Sequence, residues 1–136
     1  MNQYQPVKNL LLLERDRELR RIYKTIVSES GVNRKYLTRE FIVSQLMKCS
    51  APRFYISGHV ACCAVTSYYK GKPTHQKKLK QAMVLDLVQV FEEVREAHLD
   101  APMGEIWEMV VEHPAKSFYI SPARILEIIF NWHDRK

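Results

Sequence analysis

Glycine is scarce, at four residues in 136, and proline is limited to six. Those low counts exclude a collagen-like or low-complexity chain and leave most of the backbone free for regular structure. No apolar run approaches the 18 or more residues of a membrane-spanning helix, so no membrane contact is expected. Met1 to Lys8 lacks the basic-then-apolar order of a secretion signal, and Leu10 to Leu13 is too short for a signal core. The expected compartment is the cytoplasm.

Cysteine is also sparse. Cys49, Cys62 and Cys63 are odd in number and have no CxxC spacing, which argues against a disulfide scaffold. They are expected to act as small apolar side chains. His59 with Cys62 or Cys63 is the one histidine–cysteine pairing within helical reach, so no metal site and no cofactor are expected. No glycine-rich phosphate loop or nucleophile elbow occurs. Glu105, Glu108 and Glu112 recur at the spacing of a solvated helix face rather than in a pattern that separates two carboxylate pKa values. No catalytic residue is expected, and the chain reads as non-enzymatic.

What the sequence does contain is a repeated phrase. Phe54-Tyr55-Ile56-Ser57 returns 64 positions later as Phe118-Tyr119-Ile120-Ser121. Each copy follows an alanine that lies two residues after a cysteine or a histidine, Ala51 after Cys49 and Ala115 after His113. Repeats of this kind indicate two copies of one unit. The predicted fold is therefore all-α, a single compact domain over 1–136 with one repeat at about 9–70 and a second at about 76–134.

Apolar periodicity predicts the elements. A long helix runs from Asn9 to Ser28, with Gly31 as a left-handed cap. The next covers Arg39 to Lys48, capped by Thr38 with Glu40 in its first turn. Phe54 to Ile56 reads as a short strand, and Ser57 caps a helix from Gly58 to about Tyr69. The second unit repeats the plan, with a helix over Gln76 to His98 and another from Asp100 or Ala101 to about His113. Phe118 to Ile120 then reads as a strand, and Ser121 with Pro122 opens a last helix. Leu19, Ile22, Tyr23 and Ile26 overlie Leu87, Val90, Phe91 and Val94 at an offset of 68. Each unit is thus helix, helix, short strand, helix. The expected fold has about six helices, with 54–56 and 118–120 paired as a minor two-stranded β element across a pseudo-twofold axis.

Charge separates the halves. Residues 1–80 carry 16 Lys/Arg against 5 Asp/Glu, whereas residues 81–136 carry 5 against 10. A basic half of this kind suits an acidic partner, nucleic acid first among them. The expected nucleic-acid contacts are Arg17, Arg20, Arg21 and Lys24 on the first helix, Arg34 and Lys35 after it, and Tyr69, Lys70, Lys72, Lys77, Lys78 and Lys80 at the junction of the repeats. An aromatic residue among mobile cations suits stacked bases and phosphates. The connections between helices are too long for a helix-turn-helix. The competing expectation is a protein-interaction adaptor or a self-assembling homo-oligomer, its basic half facing an acidic protein partner or the acidic half of another copy.

Overall fold

The structure, a computed structural model, describes residues 5–31, 37–71 and 77–131. Its elements are α1 (Gln5–Ser30), α2 (Arg39–Lys48), α3 (Gly58–Tyr69), α4 (Lys78–Ala97), α5 (Met103–Glu112) and α6 (Pro122–Leu126). A π-helical turn, Glu127–Asn131, continues α6. The mainly helical expectation holds, and no helix is long and apolar enough to cross a membrane among the described residues.

Local chemistry sets the ends of the helices. Thr38 Oγ1 accepts from the Phe41 amide at 3.1 Å, and Ser57 Oγ and Ser121 Oγ accept from Val60 and Arg124 at 3.2 Å each. Each of these bonds satisfies one of the orphan donors that a helix start leaves. Gly31 has φ +55, the left-handed conformation that lets the chain leave α1 without a Cβ penalty. At Gly58 the need is space. A Cβ there would lie 3.0 Å from a Glu108 side-chain oxygen and 3.4 Å from Trp107 Cβ, so glycine lets α3 close on α5.

The helices pack in two lobes that share one continuous apolar core. α2 contacts α1 and α6, and the π turn also rests on α1. α3, α4 and α5 contact one another. The third helix of each half therefore packs on the other half's first two, α3 on α4 and α5, and α6 on α2. Leu19, Leu46, Ile125 and Ile129 are fully buried in one lobe, and Val65, Leu87 and Ile106 in the other. Burying side chains of this size stabilises the fold by about 1.5–3 kcal/mol each, before the entropy of ordering them is set against it.

The expected β element does not form. Among the described residues there is no strand at 54–56 or 118–120. The two connecting segments meet three residues earlier, in a single antiparallel bridge between Ala51 and Ala115. Each alanine amide donates to the other's carbonyl at 2.9 Å. The ladder stops there for two physical reasons. The Phe54 amide is used on the Val111 carbonyl at the end of α5, at 2.9 Å. Tyr119 has φ +55, which no strand residue adopts.

Aromatic stacking takes over where pairing stops. Phe54 lies parallel to Tyr119, with ring centroids 6.5 Å apart, and Tyr55 lies parallel to Phe118 at 6.0 Å. The two pairs are reciprocal: adding 64 to one member of each yields a member of the other. Ala51 and Ala115 are likewise 64 apart, as are the serine caps and the whole of α2 and α5.

Candidate nucleic-acid interface

The outer face of α1 carries the first group of expected contacts. Arg17 and Lys24 are exposed, as is Arg21. Arg21 is committed to Glu18, to whose Oε1 its Nε donates at 2.9 Å. That hydrogen bond, followed by the charge of Glu18, raises the Arg21 pKa further above its ordinary value. Arg20 is half-buried. A neighbouring cation, Arg15, pairs with Asp16 at 3.0 Å. Acidic residues interleaved along α1 thus offset part of its basic face, and Arg17 and Lys24 are left as its clearest projecting cations.

The second group gathers where α3 ends and α4 begins. Lys70 is the C-cap of α3 and Lys77 the N-cap of α4, with Lys78 and Lys80 in the first turn. All four are exposed. α4 has no side-chain cap and no acidic residue in that turn. Lysines at this end add to the positive pole of the helix dipole, the reverse of the favourable arrangement. An anion placed here would meet lysine ammonium groups and unsatisfied backbone N–H groups together.

Tyr69 sits beside this corner, engaged with α4. Its ring packs edge-on against Phe91 with centroids 6.4 Å apart, and its hydroxyl donates to Glu92 Oε1 at 2.8 Å. Burial, and then that hydrogen bond, raises its pKa. Glu92 and Glu96 line the small hollow beside it together with Arg95 and Leu99. The projecting cations at this corner are thus lysines, while Tyr69, still 52% exposed, is held against α4. Arg34, Lys35 and Lys72 lie outside the described residues.

Three features of the structure had no clear signal in the sequence. Asp86, in the middle of α4, is 4% exposed and accepts two hydrogen bonds through Oδ2, from the Tyr119 hydroxyl at 2.6 Å and the Lys116 amide at 3.0 Å. Burial first, and then this bond, pushes the Tyr119 pKa far above its usual value. A groove of about 860 Å³ opens between α2 and α6, floored by Val43, Met47, Leu126 and Phe130. Arg39 lies over the Phe130 ring at 4.8 Å. Arg53, just before the first repeated phrase, donates to the Phe54 carbonyl at 3.0 Å, with its guanidinium 6.0 Å from the Tyr55 ring. A lone aspartate in an apolar helix phase could have flagged the first of these. The groove arises from helix spacing, which sequence periodicity does not encode.

Glu105, Glu108 and Glu112 are all exposed along α5. No protein-family model, no curated protein and no solved structure matches the chain.

Proposed function

We propose that this chain is a small, non-enzymatic nucleic-acid-binding protein built by tandem duplication of a helix–helix–linker–helix unit. The observation that carries the binding reading is the lysine corner. Lys77, Lys78 and Lys80 crowd the positive end of α4 with no acidic residue in the turn, and Lys70 stands at the end of the helix packed beside it. This arrangement is unfavourable for the isolated protein and favourable on a polyanion. Arg17 and Lys24 add exposed cations on α1.

Duplication is supported by the self-matching Ala51–Ala115 bridge, the reciprocal aromatic stacks and the equal lengths of α2 and α5. The tyrosines add a further correspondence. Tyr119 is bonded to Asp86, and Tyr55 is close enough to Glu18 for that carboxylate, after burial, to raise its pKa. Glu18 and Asp86 are 68 apart, the offset that keeps the long helices in phase.

The test is a salt series with labelled single- and double-stranded oligonucleotides, followed by fluorescence anisotropy. Log affinity should fall linearly with log salt, with a slope of about −0.9 per duplex phosphate neutralised and about −0.7 per single-strand phosphate. Absence of binding at low salt, or affinity indifferent to salt, would overturn the proposal. A second reading, a protein-interaction module, is favoured by the apolar groove between α2 and α6. It predicts substitutions at Val43 or Met47 that remove a partner and leave oligonucleotide binding unchanged.

A further inference from the structure

α3 differs from its surroundings in carrying no Asp, Glu, Lys or Arg over Gly58–Tyr69, in a chain of which 26% is charged. Its exposed side presents His59, Val60, Cys63 and Thr66. On that side His59 Nε2 and Cys63 Sγ, one helical turn apart, lie 3.7 Å from each other.

That separation has a chemical meaning. On a tetrahedral zinc ion, with sulfur at about 2.3 Å and imidazole nitrogen at about 2.0–2.1 Å, the two ligand atoms lie about 3.5–3.6 Å apart. The His59–Cys63 pair already spans nearly that edge. Both side chains are exposed, so a metal reaches them without opening the core. One copy supplies only these two ligands, since among the described residues no three His, Cys, Asp or Glu side chains converge. A structural zinc site needs four.

We propose that His59 and Cys63 form half of a Cys₂His₂ zinc site, completed by the same pair from a second copy of this chain. A twofold axis through the metal sets two identical edges against each other, the closed symmetry of most homodimers. Within Gly58–Tyr69 neither of two facing α3 helices brings a charged side chain to the contact. Soft thiolate with imidazole in a tetrahedral N₂S₂ set selects zinc over the hard divalent cations. The binding step balances: each Cys63 thiol releases one proton to water, each imidazole binds neutral, and the two thiolates cancel the charge of the ion. This site is independent of the lysine corner, and its test involves no nucleic acid.

The full chain, kept reduced with a phosphine, is titrated with Zn²⁺ and followed by sedimentation. The expected result is a doubling of mass at one metal per two chains. Co²⁺ used as the probe should give a thiolate-to-metal charge-transfer band and the intense visible bands of tetrahedral cobalt. Cys63→Ser and His59→Ala should lose both the bands and the metal-dependent dimer, while Cys62→Ser and Cys49→Ser retain them. Far-UV circular dichroism checks that each variant remains folded, as expected for the exposed His59 and Cys63 and for the near-isosteric serine changes at the half-buried Cys49 and Cys62. Absence of binding, one metal per monomer, an equal dimer in chelator, or an unchanged cobalt spectrum in Cys63→Ser would each overturn the proposal.

Discussion

The Tyr119 hydroxyl donates a 2.6 Å hydrogen bond to Asp86 Oδ2, tying the second connecting segment to the buried middle of α4. The same tyrosine holds φ +55 and lies parallel to Phe54 of the first segment. A bulky residue in the left-handed region is uncommon and persists where its surroundings over-determine it. Here the hydroxyl hydrogen bond, the stacked ring and the hydrogen bond that the Tyr119 amide donates to Ser117 Oγ at 3.1 Å supply that restraint.

Removing the hydroxyl should be costly. Tyr119→Phe keeps the ring and leaves Asp86 with the Lys116 amide alone. A hydrogen bond to a charged group contributes about 1.5–3 kcal/mol, and a loss of that size is expected in urea unfolding, as a lower midpoint with an unchanged slope. Asp86→Ala should cost more, because it strands the tyrosine hydroxyl and the Lys116 amide together.

The fold should weaken in alkali. The Tyr119 pKa is raised in the folded state, by burial first and then by its bond to Asp86, above an ordinary value of 10.0. A raised folded pKa gives stability that is complete below the unfolded pKa and is lost as pH rises through it towards the folded value. Stability should therefore hold to about pH 9 and decline above about pH 10. Ultraviolet titration of the seven tyrosines should find a late group that ionises with unfolding and is absent from Tyr119→Phe.

The two serine caps offer a test of equivalence between the halves. Ser57→Ala and Ser121→Ala should each cost about 1 kcal/mol. The caps share no hydrogen-bond partner. The double variant should lose the sum to within about 0.5 kcal/mol, as sites without shared partners do. Chemical denaturation of the single and double variants measures this directly.

For nucleic acid, the lysines of the α4 corner and the arginine of the α1 ion pair should behave differently. The triple change of Lys77, Lys78 and Lys80 to Gln should reduce the duplex salt slope by up to about 3 and weaken binding to all sequences alike. Arg21→Gln should change little, since its guanidinium is held by Glu18. Relieving the lysine repulsion at the α4 terminus should leave the triple variant at least as stable as the parent.

Much of the helical layout was legible in the sequence, because it rests on local chemistry. α2 runs from Arg39 to Lys48 and α3 from Gly58 to Tyr69 as the caps and apolar phase predict, and Gly31 adopts its expected left-handed turn. α1 begins earlier, at Gln5, and α5 later, at Met103 after Pro102, because terminal turns depend on weak capping preferences. The FYI segments have the aromatic and β-branched content of strands, but the Phe54 amide bond to Val111 and the turn at Tyr119 outweigh that propensity. Of the expected contacts, the lysine corner is exposed. Arg21 and Tyr69 are engaged by Glu18 and Glu92, partners that only folding reveals for Tyr69, since Glu92 is 23 residues away.

The crossing of α3 and α6 between lobes has one more consequence. Each helix completes an apolar interior whose other two walls come from the opposite end of the chain. A cut at the turn after Lys70 would leave the first fragment holding α3 without α4 and α5, and lacking the α6 that covers α2. Neither piece owns a finished interior, so the halves are expected to gain or lose their structure together. On the proposed duplication, a half-length ancestor would have met the same need by trading its last helix with a twin.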